Sequence, residues 1–385
     1  SPTRISLQTG RNPAALRWTK AAPAEAGFPL IEGENRKSIR PDEVTIGQLL
    51  QSAGYATAHY GKWHLGGGGP ESHGYDESDG DTGNQDAAPF HTPNPVDIFG
   101  MGSRATDFMK RSRDAGKPFF IQMSYHALHY PENATPELVE KYQKLARSGN
   151  EKEVGKAAIA GDLDRGVGEL LASIDELGIA PTTYVIYMSD NGGSNRRALR
   201  GGKGDLWEGG LRVPLIVRGP GVAAGSWSHQ RVVGYDWFPT FCRWAGASEP
   251  LPAGVEGGDL RPLLAGSNEP VKRPREELYF HFPHYQGDTP HSAIYLGDHK
   301  LIQFYETGES QLYDLSKDPG EQHDLAAAMP ELTADLTGRL SGYLRDVDAA
   351  MPRVNPDYDS ANVPTLKQGG GKKGMRKERP ERVEP

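Results

Sequence analysis

Three segments of this chain place charged or imidazole side chains directly after short runs of β-forming residues, and a fourth, glycine-rich one follows the third. Lys62 and His64 follow residues 55–60, in Gly61-Lys62-Trp63-His64-Leu65-Gly66. His126 and His129 follow the apolar run Phe119-Phe120-Ile121-Gln122-Met123. Asp190 and Asn191 follow residues 184–188, in Ser189-Asp190-Asn191-Gly192-Gly193, and Lys203 stands between glycines in Gly201-Gly202-Lys203-Gly204-Asp205. Asp and Asn oxygens suit a hard divalent cation, whereas Lys and His suit an anionic substrate and proton transfer. Each piece alone has a plainer reading: Asp-Asn-Gly is a common turn, a lysine between glycines is usually solvated, and a lone histidine is usually just hydrogen-bonded. In a parallel α/β sheet, however, ligands bind outside the carboxyl ends of the strands. Three strand ends and a following glycine-rich turn that all carry such residues therefore point to one shared site.

The elements that must position them alternate. Residues 44–54 read as a helix stopped at Gly54, and residues 55–60 as a strand closed by Gly61. Residues 65–100 are rich in Gly, Asp and Pro and read as a long surface loop. A helix over 102–114 precedes the strand at 119–123. Residues 154–177 carry Ile159, Leu163, Val167, Leu170, Leu171, Ile174 and Leu177 at spacings of three and four, a helix with one buried face. Strands follow at 184–188 and 213–217, with Pro214 against a central position for the latter. This order predicts an α/β fold with a mostly parallel sheet covered by helices on both faces. The pattern changes near residue 275. Runs at 292–296 and 300–305, joined by Gly297-Asp298, read as a hairpin, with 312–315 as a further strand and a helix carrying Leu332, Leu336, Leu340 and Leu344. The expected organisation is thus a catalytic domain over 1–275, a small antiparallel sheet with one helix over 276–351, and a disordered tail over 352–385, where apolar residues thin out and a basic, glycine-rich stretch occupies 369–382.

Composition narrows the function classes. The 385 residues carry a net charge of −8, which argues against a nucleic-acid partner, since phosphate binding needs a positive footprint. No stretch approaches the ~20 apolar residues of a membrane helix, and the mean hydropathy is −0.63. Gly 48 and Pro 30 are high counts that predict many loops. Cys242 is the one cysteine, so no intramolecular disulfide forms; in its WFPTFCRWAG helix-like run it reads as a small buried hydrophobe. The compartment is therefore not legible from cysteine usage.

At the chemistry-bearing residues the chain resembles a known family. Gly54-Tyr55-Ala56-Thr57-Ala58-His59-Tyr60-Gly61-Lys62-Trp63-His64 is similar, nearly position for position, to the second signature of the type I sulfatases, hydrolases of sulfate esters with an alkaline phosphatase-like fold. Ser1-Pro2-Thr3-Arg4 with Thr9-Gly10-Arg11 resembles the tail of the first signature, C/S-x-P-x-R, whose leading Cys or Ser becomes formylglycine. Further matches are the strand leading to His129, the Ser-Asp-Asn-Gly turn, Gly-Lys-Gly with Glu208-Gly209-Gly210-Leu211-Arg212-Val213-Pro214, and Leu312-Tyr313-Asp314-Leu315 with Asp318-Pro319-Gly320-Glu321. The likeness runs from residue 1 to about 347.

The resemblance implies roles. Asp190 and Asn191 are expected to ligate a divalent cation, Ca2+ by family habit. Arg4 is expected to fix the nucleophile, Lys62 and Lys203 to neutralise the sulfate oxygens, Lys203 with His129 to protonate the departing oxygen, and His64 to accept a proton as sulfate leaves. His126 ranks behind His129, which directly precedes Tyr130-Pro131. His281, His284, Arg196, Arg197 and Arg200 are candidates to line the approach. In this register Ser1 occupies the x of the signature, so the formylglycine position falls just before it. The family's upstream aspartate pair also falls outside the sequence, which leaves half of the metal site in view and an expectation that residues 1–385 alone do not turn over substrate. The implied substrate is a sulfated small molecule or carbohydrate, and the implied location periplasmic or extracellular. Two alternatives share the same residues: a phosphate or phosphonate ester hydrolase of the same superfamily, and a non-catalytic chain that retains only anion binding.

Overall fold

The computed structural model describes residues 2–84, 95–129, 133–146, 150–193, 199–247 and 250–366. The chain opens on α1 (Pro2–Thr9), a short β1 (Leu30–Ile31) and α2 (Ile46–Ser52), which Thr45 starts through a capping box with Gln48. Next come β2 (Ala56–Gly61), β3 (Glu77–Ser78), α3 (Ile98–Asp114), β4 (Phe119–Ser124), α4 (Pro136–Leu145) and α5 (Glu151–Glu176). The strands β5 (Val185–Met188) and β6 (Leu215–Arg218) flank α6 (Glu208–Leu211), and α7 (Trp237–Trp244) and α8 (Arg261–Leu264) follow. The C-terminal part holds β7 (Leu278–Phe282), β8 (His291–Leu296), β9 (His299–Phe304), β10 (Ser310–Asp314), α9 (Pro330–Asp346) and β11 (Arg353–Val354).

The parallel sheet has the order β3-β2-β4, and the side chains of β4 show how it is covered. Phe119, Ile121 and Met123 pack with Ala58, Tyr60, Met101, Ala105 and Phe108 beneath α3. Phe120 points to the opposite face, against Tyr75 and Phe241. That face also carries α1, α2 and α7, with Ile46, Leu50, Phe238 and Cys242 in one cluster. Both faces are thus apolar, which is why β4 reads as a continuous hydrophobic run rather than an alternating one. Helix α5 lies one layer out, packed on α3 and α4. Cys242 is buried, and burial pushes its thiol up to about 11, as an inert core residue requires.

Four details depart from the expectations. The region 65–100 contains β3, an edge strand paired parallel to β2 through Ala58↔Glu77 and His59↔Ser78; two polar residues carry no period-2 signal. β5 and β6 form an antiparallel pair, Val185↔Arg218 to Met188↔Leu215, with Pro214 just outside the ladder. β7 completes a four-stranded antiparallel sheet of order β10-β9-β8-β7. It was hidden because both its faces are apolar: Leu278 joins the cluster with Trp207 and Tyr235, while Tyr279 stacks on Tyr343 of α9 at 3.9 Å between ring centroids. Lastly, the chain beyond residue 352 stays attached. β11 pairs with β1, Asn355 donates to the carbonyls of Pro29 and Phe28, and Gly27 lies against Pro364. The basic stretch 369–382 lies outside the described residues.

The C-terminal sheet is not a detached module. One face carries α9 through Leu336, Leu340, Tyr343 and Leu344, and the other receives Leu206 and Trp207 from the segment before α6. That segment in turn clasps the turn after β5. The Gly192 N–H donates to Gly210 O at 2.9 Å, and a Cβ on Gly192 would stand 2.0 Å from Gly209 O. Gly192→Ala is therefore expected to destabilise the fold by about 1–3 kcal/mol, since backbone rather than a flexible side chain would have to move. Thermal denaturation checks it, and an unchanged Tm would contradict the close approach.

Candidate active site

The carboxyl end of β2 is shaped by a residue that only glycine can be. Gly61 has φ of 86°, and a Cβ there would lie 2.3 Å from Ser124 O. Its N–H donates to Asp79 Oδ2 at 2.7 Å, and the next N–H, of Lys62, donates to Ser124 O at 2.8 Å at the end of β4. Trp63, fully buried, plugs the turn into the core and donates its indole N–H to Gly66 O at 2.8 Å. His64 then takes φ of 56°, rare for a residue with a side chain, with its N–H held by Thr82 O at 2.7 Å. Strain of this kind persists where the surroundings over-determine it, and it gathers at functional sites.

Helix α1 brings Arg4 to the turn after β5. Its Nη1 lies 2.9 Å from Asp190 Oδ2, and the Thr3 hydroxyl donates to the backbone carbonyl of Asp190. Arg4 is only 7% exposed, so the pair is shielded from water on its arginine side. Burial alone would raise the Asp190 carboxyl; Arg4 first, then Lys203 and Lys62, instead hold it below the ordinary carboxylate value. Lys62 is buried to 7% exposure and donates to Asn84 Oδ1. Burial first, then the neighbouring charges of Arg4 and Lys203, pull its ammonium down to about 8 against the pull of Asp190. His64 is lowered to about 4 by burial and by Lys62, Arg4 and Lys203, so it is neutral at pH 7 and can accept a proton.

The fold thus brings Arg4, Lys62, His64, Asp190 and Lys203, from four separate segments, within electrostatic reach of one another, with the Arg4–Asp190 ion pair at the centre. Asn191 sits beside Asp190, its amide donating to Gly192 O at 2.8 Å. His129 stands exposed on the turn after β4, where its N–H donates to His126 O at 3.1 Å and Leu128 between them has φ of 70°; His126 itself is buried. Lys203 is exposed at the tip of a turn closed by Asp205, whose carboxylate accepts the Gly202 N–H at 2.9 Å. Asp205 received no role from the sequence. Burial, with Asp288 nearby, raises its carboxyl to about 7 against the backbone N–H groups it accepts; the available signal was an Asp two residues after the lysine in a glycine-rich turn.

The expected approach residues go elsewhere. His281 is buried between Ser292 Oγ at 2.6 Å and Ala350 O at 3.1 Å. His284 is fully buried between Glu32 Oε2 at 2.9 Å and Thr19 Oγ1 at 2.7 Å, in a cluster that includes the buried Lys20–Glu32 pair. His284 ties the loop after β7 to the segment after α1, whereas His281 joins β7 to β8 and to the chain after α9. Arg200 lies over the Trp207 ring, 3.4 Å from its centroid, rather than toward the site. Arg196 and Arg197 lie outside the described residues. What does open beside the cluster is a cavity of about 240 Å³ lined by His64, Trp18, Lys20, Lys37, Asp81 and Thr82.

Among the described residues no group of three or more His, Cys, Asp or Glu could hold a metal ion. Asp190 and Asn191 offer two hard oxygens on adjacent residues, the right donor type for calcium but a fraction of its six to eight ligands. No helix among these residues is long and apolar enough to cross a membrane.

The sequence matches the Sulfatase family over residues 1–247 and the N-sulphoglucosamine sulphohydrolase C-terminal family over residues 202–346. Human arylsulfatase A is 30% identical over 91% of this chain and 79% of that enzyme. The N-acetylgalactosamine-6-sulfatase of Canis lupus familiaris is 30% identical over 78% of this chain and 62% of its own length. Among solved structures, Ps i-CgsB in complex with k-i-k-neocarrahexaose aligns with a TM-score of 0.74 at 24% identity, over 94% of this chain and 84% of that one. BT4656 in complex with D-glucosamine-2-N,6-O-disulfate aligns at 0.67 and 20%, over 90% and 88%. With the fold alkaline phosphatase-like and the family match spanning well over half its length, the chain belongs to the sulfatase family.

Proposed function

We propose that the protein hydrolyses sulfate esters of a carbohydrate, with formylglycine at the signature position preceding Ser1 and a divalent cation, calcium, held in part by Asp190 and Asn191. The observation that carries the reading is the Arg4–Asp190 ion pair with Lys62 and Lys203 in electrostatic reach of its one carboxylate, in a protein of net charge −8. Such a local cationic excess is costly unless an anion relieves it. The cavity beside His64, with Lys37, Asp81 and Thr82 in its wall, offers charged and hydroxyl partners to a sugar ring. Relatives that act on or bind sulfated sugars support the substrate class. Since a sulfated polysaccharide does not enter a cell intact, the reading also places the protein in the periplasm or outside the cell.

In this scheme a formylglycine hydrate would supply the attacking hydroxyl, and a cation held in part by Asp190 and Asn191 would supply Lewis-acid polarisation of the ester. The remaining work falls to residues of this chain. Arg4 orients the attacking group from the buried side. Lys62 and Lys203 stabilise the charge that builds on the sulfate oxygens. Neutral His64 takes up a proton, and Lys203 with His129 hands one to the departing sugar oxygen.

Leaving-group assistance matters most where the leaving group is poor. In the protein carrying the segment that precedes Ser1, Lys203→Ala and His129→Ala should each slow turnover of sugar sulfates by about 10²–10³-fold and slow activated aryl sulfates much less. Equal losses on both would remove the role. Parallel assays on phosphate monoesters distinguish the sulfate reading from a phosphatase.

Lys62 adds a pH dependence. Its ammonium loses its proton near 8, so inorganic sulfate should bind more weakly as pH rises through that value, and binding above pH 8 should take up a proton because the bound anion restores the charge. Calorimetry in chelator-treated buffers of different ionisation enthalpy reads the uptake. Lys62→Arg, charged throughout, should abolish it. A wild-type protein with no proton uptake would contradict the placement of Lys62 against the anion.

A further inference from the structure

The C-terminal sheet contains a charged cluster that stability alone does not explain. Lys300, on β9, has a side chain with no solvent exposure, lying 2.6 Å from Glu321 Oε1 and 3.2 Å from Glu208 Oε1. Tyr295, on β8, donates to the same Glu208 oxygen at 2.6 Å. The second Glu321 oxygen accepts the backbone N–H of Glu208, the first residue of α6, at 2.7 Å. Burying one ammonium and two carboxylates costs several kcal/mol per ion, and well-packed apolar residues of the same volume usually serve stability as well or better. Such a cluster does, however, hold one register where an apolar contact would tolerate sliding.

What it holds is the segment that carries Lys203. Arg200, at one end, donates to Glu321 O at 3.0 Å and to the Tyr313 hydroxyl at 3.2 Å while its guanidinium covers Trp207. Glu208, at the other end, is fixed by Lys300 and by the Glu321 carboxylate. Between them Asp205 closes the turn on Gly202, and the ends are tied together by the Gly209 N–H donating to Arg200 O at 2.7 Å. The next residue, Gly210, accepts from Gly192, two residues beyond Asp190. Glu321 itself adopts φ of 54° while fully buried, a conformation of order 1–3 kcal/mol above the ordinary one and kept only where the surroundings demand it.

We infer that Lys300 and Glu321 are positioning residues that act through this clasp to set Lys203 against the sulfate site, so that the C-terminal sheet completes the site without touching substrate. The inference rests on Lys203 facing the sulfate, as proposed above. Its test uses the chain of residues 1–385 with two readouts. In Glu321→Gln, which keeps shape and removes charge, amide hydrogen exchange over residues 201–211 should accelerate at least about tenfold while β8 and β9 keep their protection. Inorganic sulfate should bind Lys203→Ala about tenfold more weakly, as befits one lost charge-assisted contact, Glu321→Gln to a similar degree, and the double variant no more weakly than either. Arg200→Ala, at an exposed residue, should give the same signature and stands in if Glu321→Gln does not fold. Unchanged exchange over 201–211, or penalties that add in the double variant, would overturn the inference. A wild-type chain that binds no sulfate would instead sink the sulfate reading, with the exchange data still deciding whether the clasp exists.

Discussion

The ion pair between Arg4 and Asp190 is the contact on which the site depends. It joins the first helix to the turn after β5, 186 positions along the chain, and does so where the charges of Lys62 and Lys203 also reach the same carboxylate. A lone buried arginine or aspartate here would be expensive. Paired, they permit two further cations nearby at a cost that shows in the lowered ammonium of Lys62 and the neutral imidazole of His64. Binding chemistry follows from that imbalance: the site is short of negative charge, and an anion with several oxygens restores it.

The rest of the molecule is arranged to keep this imbalance in place. The parallel sheet delivers Lys62 and His64 at one strand end, locked by Gly61 against Ser124 and by Trp63 in the core. The C-terminal sheet works at a distance through two buried ionic clusters. One, of Lys300, Glu208 and Glu321, holds the lysine-bearing turn. The other, of Lys20, Glu32 and His284, ties the segment after α1 to the loop following β7, next to the cavity beside His64. The first cluster stands behind the lysine-bearing turn, whereas Lys20 of the second is itself in the wall of the cavity beside His64.

The candidate residues were legible because they follow β-forming runs: Gly61-Lys62-Trp63-His64 after β2, His126 and His129 after β4, and Asp190-Asn191 after β5. Helices α5 and α9 were legible because a single buried face imposes a period, and the hairpin because Gly297-Asp298 separates two β-forming runs. What was not legible lacked a period or depended on distant partners. β7 is apolar on both faces, and β3 is two polar residues paired by their backbone. His281 and His284 look like approach residues by type, and only their surroundings show them buried and engaged. Arg4 offered no signal of its own beyond the family likeness, because its partner Asp190 is so far away in sequence. Asp205 carries no signal of its own in the sequence, since a turn aspartate is ordinary until burial raises its carboxyl.

The central claim is that Arg4, Lys62, Lys203 and Asp190 form one anion site at the carboxyl edge of the sheet. A crystal structure of the protein grown with inorganic sulfate tests it most directly. The account predicts a sulfate ion with oxygens roughly 3 Å from Lys62 Nζ and Lys203 Nζ, close to Arg4 and Asp190. A structure in which Lys203 or Lys62 lies on the far side of the sheet from Asp190, or in which sulfate occupies only outer surface positions, would contradict it.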